Sequence, residues 1–343
     1  MTPEAEPAAL HHRSSGSSEE FSVASNPGSQ ADSMLVAPTP HDGFEIPAVS
    51  STPGSPSAFY GSPQYLDPEL DSSRWPRLIP HIGHTILFFV IALLVLAVGQ
   101  GLGILLLEQT HLFGHRNFQA LFRLSADDAR LSLPVQALSY ALVAFVVIPV
   151  FSLLWRESFS EGVHWNGSVA RRRFLLLLLL GLAAGFGIGA FGNFLPMPKD
   201  PPIMQDMMKS ALGAWMMLIF GITAAPLLEE LAFRGFLLPG LINSFRWLAR
   251  VGSISEGAVK WIGVPVSILI TSAGFALMHS PQVSHAWGPL LLIGTVSVVL
   301  CAVRLSLNSV AAGVVVHAAY NFTLFAGMLA QTGGFRHLER MTN

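Results

Sequence analysis

The run APLLEELAFRGFLLPGL, from Ala225 to Leu241, sets two adjacent carboxylates and a guanidinium inside an otherwise apolar stretch. Glu230 and Arg234 stand four residues apart, which puts them on one helical face where they can pair. Glu229 is rotated by about 100° from Glu230 and can address a different neighbour. One glutamate can therefore be held by the arginine while the other stays available for chemistry. Two later apolar runs repeat the spacing, with Phe275 and His279 in FALMH and His317 and Asn321 in HAAYN. A charge at the centre of a membrane helix costs about 2.5–3.5 kcal/mol on insertion scales, so five ionisable groups kept in such runs point to a site.

A carboxylate, two imidazoles and an amide suffice to hydrolyse a peptide bond. Glu229 can act as general base on a water, while His279 holds that water or passes its proton to the leaving amine. His317 and Asn321 can donate hydrogen bonds to the developing oxyanion, and loss of one such donor typically costs about 2.7–4 kcal/mol. Glu230 and Arg234 would then orient the base. A second version sets a metal such as zinc between Glu229, His279 and His317, since two histidines and a carboxylate are a standard ligand set. The sequence leaves both versions open, so the cofactor is either a divalent metal or none. No H-E-x-x-H, no G-x-S-x-G and no aspartate within an apolar run is present, which removes three other protease designs.

Each pair alone also has a plain structural explanation. Glu230–Arg234 can be a buried ion pair that fixes helix packing, and His279 a helix-end residue. His317–Asn321 can be ordinary interhelical hydrogen bonding, which averages about 0.6 kcal/mol in membranes. Their conjunction is what singles out a site.

The elements that must position these groups are membrane helices. The 343 residues are 51% hydrophobic and 12% charged, half the charge of an ordinary soluble domain, which is about 25%. Apolar runs lie near 84–107, 131–155, 174–195, 211–241, 262–280, 287–303 and 307–330. Each approaches or exceeds the roughly 17–25 residues that cross the hydrocarbon layer. The fold class is therefore all-α and polytopic, with seven transmembrane helices, or eight if the long run breaks at Pro226. Trp155, Trp261 and Trp287 stand at expected helix ends, as interfacial aromatics do. Gly181, Gly185 and Gly189 form a small-residue stripe suited to close helix packing.

Residues 1–78, rich in Ser, Pro and Gly, read as a disordered tail. The opening MTPEAEPAALHHRSSGSSEE has no apolar stretch, so the first hydrophobic helix is expected to direct insertion. Residues 79–171 read as accessory transmembrane helices, 172–328 as the core carrying the site, and 329–343 as a short tail. Arg74, Arg77, Arg156, Arg171 to Arg173, Arg246, Arg250, Lys260 and Arg304 fall on one side if the N-terminus is cytoplasmic. That orientation is favoured by a small margin. A net charge of −2 without a basic run gives no sign of a nucleic-acid partner, and the single Cys301 excludes an intramolecular disulfide.

The motifs E-E-x-x-x-R (Glu229, Glu230, Arg234), F-x-x-x-H (Phe275, His279) and H-x-x-x-N (His317, Asn321) occur complete and in order. With them the chain resembles the CPBP family of CAAX proteases and bacteriocin-processing enzymes, also called the Abi family. The resemblance covers about residues 172–328. It implies an intramembrane endopeptidase similar to the enzymes that remove the last three residues of prenylated CaaX proteins. It assigns Glu229 and His279 as base and partner, and His317 and Asn321 as the oxyanion site. The family is labelled both metallopeptidase and metal-free glutamate peptidase. The substrate is expected to be a membrane-anchored protein or peptide within the lipid bilayer. The location is expected to be a bacterial plasma membrane, or an endomembrane in a eukaryote. Two other readings are a non-catalytic immunity or binding protein, and a proton-coupled transporter, which would call for inverted repeats that the sequence lacks.

One expectation is geometric. If spans begin at 211 and 262, Glu229 and His279 each lie about 17–18 residues in, or about 27 Å along antiparallel helices, toward opposite faces of the membrane. A later start of the long span, or a break near Pro226, would bring them together.

Overall fold

The structure is a computed structural model that describes residues 77–198 and 209–341. The expected disordered tail lies outside the described residues apart from its last two positions. Every regular element among the described residues is helical. Among these residues, seven helices are long and apolar enough to cross a membrane. They are α1 (Ile82–Thr110), α2 (Ala129–Trp155), α3 (Phe174–Gly192), a composite segment Ala211–Arg250, a helix Glu256–Met278, and the last two, Trp287–Leu307 and Val310–Gln331. Leu93, Leu94 and Val98 on α1 are 61–70% exposed, as lipid-facing side chains must be.

The composite segment explains how the site is built. Its 40 residues would span about 60 Å as one helix, about twice the hydrocarbon thickness. It is interrupted instead. Helix α4 (Ala211–Ile222) ends at Thr223, whose φ of −126° and ψ of −84° are not helical, and α5 (Ala224–Glu230) follows. Pro226 causes the break. It has no N–H for the Ile222 carbonyl, and its ring would clash with that carbonyl in a continuous helix. The Leu231–Leu237 stretch is a π-helix, and α6 (Leu238–Arg250) completes the segment. The helix thus runs past the expected end at 241, because Ile242 and Asn243 are buried and Asn243 Nδ2 donates to the Pro80 carbonyl at 2.7 Å.

Helix α7 (Val264–Met278) follows a short π-helical entry, and α8 (Trp287–Leu307) and α9 (Val310–Gln331) are joined by two residues. Asn308 adopts the left-handed conformation and Ser309 caps α9 by accepting from Ala312 N–H, so α8 and α9 must pack antiparallel. Helix α9 is the central element: half of its most apolar window is buried, against 17% for α3. Close approach of α3 to α9 needs Gly181 and Gly185, where a Cβ would overlap the Val316 carbonyl and the Thr323 side chain. Gly189, the third of the stripe, faces open space and packs nothing.

Helices α1 and α2 pack on the segment that carries the site. Phe88, Val143, Val147, Phe151 and Trp155 form a buried cluster with Phe236 of the π-helix, where the Phe88 and Phe236 rings stack at 4.2 Å. Trp155 is therefore a core residue, 2% exposed, rather than an interfacial one, while Trp261 and Trp287 are 74% and 60% exposed. Arg304 also departs from expectation. It is buried in the last turn of α8, so it is no loop charge to weigh in the orientation.

Candidate active site

Glu230 and Arg234 are fully buried and paired, with Arg234 Nη1 donating to Glu230 Oε1 at 2.8 Å. Arg234 Nη2 donates to the Ser297 side chain at 2.6 Å and to the Ser297 carbonyl at 3.1 Å. The guanidinium lies 4.7 Å from the Phe275 ring centroid, a cation–π contact that gives the phenylalanine of the second motif its use. The pair is thus tied to α7 and α8 as well as to its own helix.

Glu229, at the end of α5, points elsewhere, as the 100° rotation requires. Its Oε2 lies 3.9 Å from His279 Nε2 and 3.7 Å from His317 Nε2. His279 caps the end of α7, where its Nδ1 meets the Phe275 carbonyl at 2.8 Å. His317 lies on α9, with Nδ1 3.0 Å from Glu230 Oε1. Because the segment runs on to Arg250, Glu229 stands near its middle, and its side chain meets that of His279 at the end of α7. The depth conflict disappears for that reason.

The tautomers follow from these partners. A carbonyl oxygen only accepts, so His279 carries its proton on Nδ1, and His317 donates from Nδ1 to the Glu230 carboxylate. In these tautomers each ring turns an Nε2 lone pair to Glu229 Oε2, itself an acceptor. Three acceptors facing one another need a donor between them, and a water supplies two hydrogens. An oxyanion role for His317 calls for a proton on its Nε2.

Asn321, one turn further along α9, donates from Nδ2 to the Gly221 carbonyl at 2.7 Å, at the end of α4. That bond satisfies a carbonyl in the last turn before the Thr223 break and leaves the second amide hydrogen unassigned. The structure therefore brings Glu229, Glu230, Arg234, His279 and His317 together and sets Asn321 beside the break that precedes them.

Three contributors are not legible in the motifs. Ser297 receives Arg234. Arg304 Nε donates to the Arg234 carbonyl at 3.1 Å. In a π-helix that carbonyl would look to residue 239, which is proline and has no N–H, so Arg304 supplies the missing donor. Gly313 is the third: a Cβ there would stand 2.6 Å from Glu230 Oε2. The glutamate cannot yield cheaply, because Oε1 is fixed by both Arg234 and His317. Gly313→Ala is expected to cut turnover on the order of 100-fold through displacement of the His317–Glu230 bond. Overpacking should destabilise it by only about 1–3 kcal/mol; turnover and thermal unfolding of the same preparation test both.

Two imidazoles and a carboxylate are zinc donors by type, and each Nδ1 is anchored on an oxygen as in metal-ligating histidines. The spacing does not match. The 3.7 and 3.9 Å separations exceed the edge of about 3.3 Å of a tetrahedron with bonds near 2.0 Å. Among the described residues no three His, Cys, Asp or Glu side chains are grouped as an ion site. As arranged, the three groups stand slightly wider apart than tetrahedral ligands and leave room for a water among them.

Residues 211–323 match a protein-family model described as Rce1-like, type II CAAX prenyl endopeptidase Rce1-like. No curated protein and no solved structure matches the chain. The matched segment begins with α4 and ends just beyond Asn321, so it contains all the residues of the three motifs.

Proposed function

We propose, from the premise that this multi-pass membrane chain carries an Rce1-like peptidase domain over residues 211–323, that it cleaves a lipid-anchored protein or peptide near its C-terminus, in the manner of CaaX processing. The observation that carries the mechanism is the convergence of Glu229 Oε2 and two imidazole Nε2 atoms, at 3.9 and 3.7 Å. A water held among them gives one hydrogen to Glu229 and is fixed by a histidine through the other. As its oxygen bonds to the scissile carbonyl carbon, Glu229 takes the proton and the carbonyl electrons move onto the oxygen. The second amide hydrogen of Asn321 supports that oxyanion. Collapse breaks the C–N bond, and the proton on Glu229 passes through His279 to the leaving amine. Glu230 and Arg234 hold His317 in the tautomer this requires.

The test uses the full chain in nanodiscs with a farnesylated CaaX peptide in ¹⁸O-labelled water. Release of the C-terminal tripeptide, with label in the new carboxylate, is the expected result, and activity should survive exhaustive chelation. An intact peptide would overturn the reading, and loss of activity that added zinc restores would overturn its metal-free form.

A further inference from the structure

A cavity of about 400 Å³ opens between α3, α8 and α9, with Gly189, Gly192, Leu292, Tyr320 and Leu324 among its walls. We infer that it holds the hydrocarbon anchor of the substrate and selects the length of that chain. This rests on the peptidase reading above.

The register of α9 joins the cavity to the site. Tyr320 and Leu324 follow His317 by three and seven residues. At 100° and 1.5 Å per residue they point within about 60° and 20° of it, about 4.5 and 10.5 Å farther along the helix. A chain borne by the residue whose carbonyl is attacked beside His317 therefore runs straight into the cavity. Gly189 leaves the room for it. Gly181 and Gly185 of the same stripe are pressed against α9, whereas a Cβ on Gly189 would meet nothing within 4 Å.

Tyr320 identifies the occupant. It is 8% exposed and packs with Leu177, Val296 and Leu300 in the core of these three helices. Its hydroxyl meets no hydrogen-bonding partner among the described residues, which is costly in apolar surroundings. It stands halfway along the 22-residue α9, at the depth of acyl tails, where a phospholipid of the bilayer brings no acceptor. A lipid-modified residue does bring one, because its peptide carbonyl travels at the head of its own chain. Leu324 and Met197 are half-exposed walls of the cavity, so the anchor can enter sideways from lipid. An apolar cavity of about 150 Å³ takes the six carbons of benzene, and in that proportion about 400 Å³ takes roughly sixteen. A fifteen-carbon isoprenoid fits; one of twenty carbons overfills it. The chain passes from lipid to protein, so little is gained by transfer. The cavity acts by shape, fixing where the anchor ends and hence where the scissile carbonyl falls.

The test gives the full chain in nanodiscs three CaaX peptides that differ only in a ten-, fifteen- or twenty-carbon isoprenoid. The fifteen-carbon peptide should show the highest kcat/KM. Gly189→Leu fills open space, and should lower the ratio of kcat/KM for fifteen over ten carbons roughly 10- to 100-fold, the usual range for overpacking. Leu324→Ala widens the cavity and should raise the ratio for twenty over fifteen carbons about tenfold. Tyr320→Phe removes only the hydroxyl and should raise KM about tenfold for every chain. Ratios that neither G189L nor L324A moves, as a cavity filled by bilayer lipid alone would give, overturn the inference and leave the peptidase reading standing. If G189L fails to fold, the L324A ratio decides by itself. Unchanged KM in Y320F leaves the occupant without its acceptor and also overturns the inference. A wild type that cleaves none of the three peptides rejects the peptidase reading and the subsite with it.

Discussion

Glu229→Gln is expected to abolish cleavage while leaving the protein at least as stable as the wild type. The rate loss should reach roughly 100- to 10,000-fold, the range for removal of a positioned general base, or about 3–5 kcal/mol of barrier. Stability should hold because the Glu229 carboxylate makes no direct hydrogen bond to either imidazole; it faces their nitrogens at 3.7 and 3.9 Å. Glutamine keeps the shape and adds an N–H donor where three acceptors meet, so the variant gains a partner for a lone pair. Such a gain on loss of function is what a site held in an unfavourable arrangement for chemistry shows. Turnover of the CaaX peptide and thermal unfolding, measured on one nanodisc preparation, decide it. An E229Q protein that unfolds markedly earlier would make Glu229 a packing residue, and one that still cleaves would remove it from the mechanism.

The contrast between the two neighbouring glutamates is visible in the sequence, and so are the seven spans. Both follow from local rules. A helix needs about 20 apolar residues to cross, and residues one apart face different ways. Composition cannot show how the long run is divided. The break falls at Thr223, three residues before the proline that causes it, and the stretch after Glu230 widens into a π-helix whose Arg234 carbonyl is served by Arg304 from α8. That bond joins residues 70 apart in sequence, beyond any periodicity. Arg304 reads as a loop charge because the apolar run before it ends at 303, yet the helix continues to Leu307. Trp155 misleads for the same reason: a helix end reads as an interface until α1 and the π-helix close over it. Gly313 resembles any small residue in VAAGVVVH. Its need for a bare Cα comes from a carboxylate on another helix. Local chemistry is readable; contacts between distant segments are not.

The second large effect concerns Arg234. Arg234→Met leaves the Glu230 carboxylate fully buried without its counter-charge, which typically costs about 3–5 kcal/mol. It also frees the Ser297 hydroxyl and carbonyl and takes the cation from the Phe275 ring. The variant should unfold far earlier and lose activity with the fold. The informative partner is the double variant Glu230→Gln with Arg234→Met. It removes both buried charges of the pair, and the side-chain carbonyl of the introduced glutamine can still accept from His317 Nδ1. The histidine therefore keeps the tautomer that aims its lone pair at Glu229. Most of the lost stability should return, and turnover should come back to within about tenfold of wild type, since orientation rather than charge is what Glu230 contributes. If instead the double variant is well folded but as inactive as E229Q, the negative charge of Glu230 takes part in the chemistry itself. Unfolding midpoints and kcat for the wild type, the single and the double variant separate those outcomes, because a scaffold and a reactant respond oppositely once the fold has been restored.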